Sequence, residues 1–204
     1  MRFKGLKWLL LFCISIAAGW GADSDKSRFV VRPVTDYPHR QTSEKVSIAA
    51  QPYETDAQAA EAFGKVNPYR LGVLPVLIVI RNEGAEAIRL DNLRVYYVLP
   101  DRTRVEATPA QELKFRRGPV KPSATPGPAG RIAIKRGKKD PLAEWEIEGR
   151  AFAPKILAAG DSASGFFYFQ VPQSSAAASV YISGLVNAKT GNDLYYFEIP
   201  MSGN

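Results

Sequence analysis

The stretch "LGVLPVLIVIRNEGAEAIRLDNLRVYYVLPDRTRVEA", residues 71–107, decides the fold. Val73 to Ile80 is a nearly continuous β-branched run. "NEG" then reads as a turn, "AIRL" and "LRVYYVL" as strands, "PDRT" as a second turn and "RVEA" as a further strand. Strands separated by turns this short are consecutive antiparallel partners, because a parallel crossover needs a dozen or more residues. The texture returns in "GFFYFQV", "SVYISGLV" and "LYYFEIP", with "NAKTGND" as a turn between the last two. Roughly six to eight short strands with polar turns predict a mainly β chain, an immunoglobulin-like antiparallel β-sandwich.

Residues 158–172, "AAGDSASGFFYFQVP", qualify that expectation. Phe166 and Tyr168 point to one face of a strand, and Phe167, Phe169 and Val171 to the other, so apolar surface is offered on both. Tyr96 with Tyr97 and Tyr195 with Tyr196 are similar doublets. The second face needs a cover. Three segments qualify: the helix near Ala57 to Phe63, the "PLAEWEIE" stretch and the N-terminal arm. Otherwise the rings form a docking patch or a sugar-binding platform, with Tyr168, Tyr96 and Tyr195 as its members.

The N-terminus carries a charged start (Arg2, Lys4, Lys7), an apolar run from Trp8 to Ala18 and then small residues. This is the pattern of a secretory signal peptide, with cleavage after Gly19 or Gly21. The run falls short of the roughly 20 residues a bilayer span needs. Cys13 lies inside it, preceded by Leu11 and Phe12, which does not suit lipid attachment. Without residues 1–21 the chain has no cysteine, so disulfides, thiol catalysis and cysteine-held zinc are excluded. The about 180 residues that follow are enough for one core.

Residues 22–52 are polar and broken by Pro33, Pro38 and Pro52, and read as an extended N-terminal arm with one or two edge strands. The sandwich domain is expected over 53–204. In "ETDAQAAEAFGK", Thr55 and Gln58 have the spacing of a capping box, and Ala59, Ala60 and Phe63 form one apolar face. Gly64 can end that helix. A second short helix is expected from Pro141 to about Glu148, with Leu142, Trp145, Gly149 and Phe152 along one face; a strand fits the alternation of Trp145 and Ile147 with the glutamates as well.

Between the halves, residues 116–140 read as a long Pro- and Gly-rich loop. The chain has a net charge of +7, three of those charges being Arg2, Lys4 and Lys7. Arg116, Arg117, Lys121, Arg131, Lys135, Arg136, Lys138 and Lys139 stand in the loop against Asp140 alone. The basicity therefore belongs to one segment. Its field would attract lipid head groups, an acidic glycan or the acidic face of another envelope protein; its other reading is a charge that keeps a long loop soluble. No aromatic residue interleaves the cations, which speaks against nucleic acid.

"AFGKVNPYRLGVLPVLIVIRNEGAEAIRLDNLRVYYVLPD" resembles a pattern of uncharacterised exported bacterial β-sandwich proteins, a short helix followed by a Gly-Val-x-Pro-Val strand start and Asn and Gly in the turn. "LAAGDSASGFFYFQVP" is similar to the turn-and-strand segment of bacterial immunoglobulin-like envelope domains, with Ala159 where their proline stands. The resemblance implies a fold and an envelope location, and transfers no catalytic residue.

Catalytic constellations are scarce. His39 is the only histidine and lies in the proline-broken arm, with no nucleophile-elbow motif to join it. Glu144, Glu146 and Glu148 are the densest acidic cluster; they could serve an acid-dependent hydrolase, hold calcium or form a solvated face. "GRIAIKRGKK" lacks the Gly-Lys-Ser/Thr of a phosphate loop. The sequence thus predicts a non-enzymatic exported module of the bacterial envelope. It would bind a protein or an anionic surface with no cofactor or metal. A carbohydrate-binding module and a glutamate-dependent hydrolase are the alternatives.

Overall fold

A computed structural model describes residues 29–115, 123–126, 132–135, 140–143, 145–171 and 174–201. The proposed signal segment, residues 1–21, lies outside them. Among the described residues thirteen strands run in chain order: β1 (Arg40–Ser43), β2 (Val46–Pro52), β3 (Leu74–Asn82), β4 (Ile88–Arg89), β5 (Arg94–Val98), β6 (Arg104–Glu106), β7 (Ser123–Pro126), β8 (Ile132–Lys135), β9 (Ile156–Leu157), β10 (Ser162–Phe169), β11 (Ser179–Ser183), β12 (Val186–Asn187) and β13 (Phe197–Pro200). The helices are α1 (Asp56–Phe63), α2 (Ala110–Leu113) and α3 (Trp145–Gly149). Short 3-10 turns stand at Val34–Asp36, Tyr69–Leu71 and Pro141–Ala143.

One four-stranded sheet has the order β1-β2-β3-β10, a second the order β13-β11-β5-β6, and a small sheet the order β12-β4-β9. The ladders within them are antiparallel. The mainly β antiparallel sandwich read from residues 71–107 is the observed fold, but the strands there are not all consecutive partners: only β5 and β6 pair with each other, while β3, β4 and β5 lie in three different sheets and pair with strands distant in sequence. β3 is its centre. Leu74, Val76, Ile78 and Ile80 face the second sheet, where Val95, Tyr97, Val180, Ile182, Phe197 and Ile199 complete one core. Val73, Leu77 and Val79 face the other way into a second core.

That second core answers the question of cover. Ala59, Ala62 and Phe63 of α1, Leu113 of α2, Ile147 of α3 and Val34 and Tyr37 of the arm bury Phe166 and Tyr168 of β10. Phe167 and Phe169 point into the first core, as strand alternation requires. All three expected covering segments take part. The molecule thus has three layers: a helical layer, the β1-β2-β3-β10 sheet and the β13-β11-β5-β6 sheet.

Local chemistry explains the element ends. Thr55 caps α1 by accepting from the Gln58 backbone N–H at 3.3 Å, while Gln58 Oε1 accepts from the Thr55 backbone N–H at 3.0 Å. Gly64 closes α1 at φ 67. The residue expected on the apolar face at Ala60 lies outside; Ala62 takes its place, three positions after Ala59 and beside Phe63. In α3 the correction is larger. Leu142 and Ile147 are buried and Trp145 is exposed, because a helix of five residues sets its face by the packing of Ile147 rather than by periodicity.

The segment read as an arm contributes two strands. β1 is an edge, as expected, but β2 sits inside the sheet between β1 and β3. Pro52 does not prevent this because it is the last residue of β2, opposite Val76. The turn joining β1 to β2 is Glu44-Lys45, with φ of 48 and 60. Such a two-residue hairpin turn favours Asn-Gly, whose backbones relax at positive φ. Within the Pro- and Gly-rich segment, β7 and β8 pair as a hairpin with Thr125 opposite Ala133, where a loop without strands was expected.

Candidate functional site

Of the eight basic candidates, Arg116, Arg117, Lys121, Arg131, Arg136, Lys138 and Lys139 lie outside the described residues, and Lys135 is placed by its backbone at the end of β8, opposite Ser123. The two ends of the segment are described. It leaves the helical layer after Phe115, just beyond α2, and re-enters at Asp140, whose carboxylate accepts from the Leu142 N–H at 2.8 Å. α2 and α3 pack together there, and Lys114 Nζ reaches Glu148 Oε1 at 3.5 Å. Phe115 is 67% exposed and Trp145 is 69% exposed, so two large rings stand in solvent where the basic segment begins and ends. Lys114 Nζ lies 5.3 Å from the Phe115 ring centre.

Among the glutamates, Glu144 is outside the described residues. Glu148 is held by Lys114, and Glu146 acts on Arg150 through its charge. The pair therefore answers to cations. Among the described residues, no group of three His, Cys, Asp or Glu could hold a metal ion. His39 is half-buried at the entry to β1, where its carbonyl accepts from the Ala50 N–H at 3.0 Å.

The aromatic candidates separate cleanly. Tyr168 cannot belong to a sugar platform: it is 1% exposed, and its hydroxyl donates to the Ile147 carbonyl at 2.7 Å. Burial pushes its phenol pKa far above the usual tyrosine range. Tyr53, in the same core, is pushed up to about 12 by burial, with the Glu61 charge adding to it. Arg150 lies 4.6 Å over the Phe29 ring, and burial lowers its pKa.

Tyr96 and Tyr195 are on the opposite side of the molecule, on the outer surface of the second sheet and its margin. Sequence reasoning missed their neighbours. Tyr181 of β11 lies opposite Tyr96 of β5, with ring centres 6.3 Å apart, and Tyr196 stacks on Tyr181 at 5.2 Å and 25°. The Arg104 guanidinium sits 4.6 Å over the Tyr181 ring. The available signal was the alternation of Ser179, Tyr181 and Ser183 with Val180 and Ile182, which sends Tyr181 outward.

A mainly β sandwich with one helical layer is the class these elements define. No protein-family model matches the chain, and no curated protein sequence matches it. Solved structures show a likeness at low identity. A candidate lipoprotein of Bacillus subtilis is 11% identical over 81% of this chain and 39% of that one, with a TM-score of 0.37. This chain therefore spans about two fifths of that protein. The candidate ApaA protein of Bordetella pertussis is 9% identical over 81% of this chain and 97% of that one, with a TM-score of 0.35. An uncharacterised β-sandwich protein of Clostridium difficile 630 is 10% identical over 79% of this chain and 90% of that one, with a TM-score of 0.30. At such identities the likeness concerns the fold alone.

Proposed function

We propose that the protein is an exported, non-enzymatic interaction module of the bacterial envelope, and that it docks on an anionic lipid surface through the end of its helical layer. The observation that carries this reading is the exposure of Phe115 and Trp145 at the two ends of a segment bearing eight basic residues. Aromatic rings settle at the level of lipid head groups, and each lysine or arginine near an anionic leaflet adds roughly 1 kcal/mol of attraction. The charged, then apolar N-terminus supports export. No helix among the described residues is long and apolar enough to cross a membrane, so contact would be peripheral.

The test is co-sedimentation with phosphatidylglycerol vesicles and, separately, with phosphatidylcholine vesicles. Binding to the anionic vesicles alone is expected, weakening as salt rises. Replacing Arg136, Lys138 and Lys139 with Ala should reduce it, as should Trp145→Ala. Equal binding to both vesicles, or no effect of the charge substitutions at low salt, overturns the reading. Capture of an envelope protein or an acidic glycan by the same surface, with vesicles ignored, would replace lipid by that partner.

A further inference from the structure

Among the described residues β6 pairs with β5 alone, so it is an edge of the second sheet. Other edges of the two large sheets are in use. At the far side of the same sheet, the Glu198 N–H of β13 donates to Gln41 Oε1 of β1 at 2.8 Å. On β10, the Tyr168 carbonyl accepts from the Thr108 N–H at 2.7 Å and the Phe166 carbonyl from the Phe152 N–H at 3.1 Å.

The ladder decides which groups β6 presents outward. The Leu99 N–H donates to the Thr103 carbonyl at 2.9 Å and the Ala107 N–H to the Val95 carbonyl at 3.3 Å, with Val105 opposite Tyr97 between them. Bonding alternates along an antiparallel strand, so Thr103, Val105 and Ala107 turn their main-chain groups to β5. Arg104 and Glu106 turn theirs away from it. Both of these residues are exposed, whereas Val105 points to the opposite face and packs against the first core. On that inner side an open cleft runs past Glu106 along Val95, Ala107, Phe152 and Phe167. The two phenylalanine rings stack at 5.2 Å and stay only partly buried.

We propose that β6 pairs with β6 of a second copy of this chain, antiparallel about Val105. A two-fold axis there puts Arg104 opposite Glu106 of the second copy, and Glu106 opposite the second copy's Arg104. Both positions carry outward N–H and C=O groups, so each forms a reciprocal pair of main-chain hydrogen bonds across the axis. The same register sets a guanidinium beside a carboxylate at each position. A balanced Arg-Val-Glu is what an isologous contact asks of a strand, since the surface must complement itself. Charges that guard a sheet edge repel a copy; this pair attracts one. No proline interrupts Arg104–Glu106, and its register to β5 is continuous. The axis is normal to the sheet, so the helical layers of both copies lie on one side of it.

The pairing does not depend on lipid docking, and its test contains no lipid. The exported chain is followed by sedimentation velocity from about 10 μM to about 1 mM, a range suited to a small interface. The mean mass should rise from one chain towards two and no further, because a two-fold contact closes on itself. Arg104→Glu sets like charges opposite each other and should weaken association at least about tenfold. Adding Glu106→Arg rebuilds the complement in reverse order and should restore association, although the Arg104 contact with the Tyr181 ring stays lost. Glu106→Pro removes an outward N–H while sparing the bonds to β5, and should abolish association with the far-ultraviolet circular dichroism unchanged. A single-chain mass throughout, growth beyond two chains, undiminished association in Arg104→Glu or Glu106→Pro, or no rescue in the double variant would each overturn the proposal.

Discussion

The side-chain amide of Asn82 donates to the carbonyl of Ala158 at 3.1 Å, joining the turn after β3 to the turn before β10. The same amide reaches the Glu86 carbonyl at 2.8 Å, and Asn82 Oδ1 accepts from the Gly84 N–H at 3.0 Å. Its backbone completes the junction, the N–H donating to Asp161 and the carbonyl accepting from Gly160. One buried residue therefore ties the turn after β3 to the turn before β10.

Asn82→Ala should accordingly destabilise the fold by about 1–2 kcal/mol, because it removes several part-buried side-chain hydrogen bonds at one junction. Urea unfolding followed by tyrosine and tryptophan fluorescence measures this. A loss under about 0.5 kcal/mol would mean that the junction is held by the backbone bonds alone.

Much of this was legible in the sequence, and the line between what was and was not is physical. The Thr55–Gln58 box and the turn at Gly160 depend on residues within a few positions of each other. The two-sided burial of β10 shows in the aromatic run from Phe166 to Phe169. Pairing across distance does not show, so β2 was read as arm although Ala49 and Ile78-flanking Val79 meet in register. Trp145 and Ile147 compete for one face of a helix too short to display a period. The tyrosine surface draws on β5 and β11, on Tyr196 just before β13 and on Arg104 of β6, and only pairing brings them together.

Gly165 separates two kinds of glycine requirement. A Cβ there would lie 2.4 Å from Phe152 Cα, a backbone atom that cannot swing away. Gly165→Ala should cost about 2–3 kcal/mol or more through displaced backbone. Gly191, at φ 73 with open space around it, should lose only about 1 kcal/mol on substitution by Ala. Thermal unfolding of the two variants should rank them in that order.

The Glu44-Lys45 turn offers the opposite sign. Both residues hold positive φ without being glycine or asparagine. Replacing the pair by Asn-Gly should stabilise the protein by about 1 kcal/mol, since the turn is then relaxed in its native shape. A higher denaturation midpoint at unchanged slope is the expected result.

Alkaline pH should loosen the helical layer. The Tyr53 phenol is raised from 10.0 to about 12 in the folded state, so its neutral form is the one the fold prefers. That contribution is fully present below about pH 10, and is lost between pH 10 and 12 as the unfolded chain ionises first, up to about 2–3 kcal/mol. Tyr53→Phe should flatten the fall in stability across this window. An identical slope in the variant would assign the effect to Tyr97 and Tyr168, which burial shifts the same way.

β3 has a consequence for how the molecule is seen by exchange and by proteases. Leu74 to Ile80 is buried without a break, and its ladders to β2 and β10 satisfy both edges. No local opening frees its amides, since releasing either face empties one of the two cores. Their hydrogen exchange should therefore proceed only through whole-molecule unfolding, making these the slowest-exchanging amides in the chain. Their rate is then a direct gauge of global stability, against which the fraying of every other element can be measured.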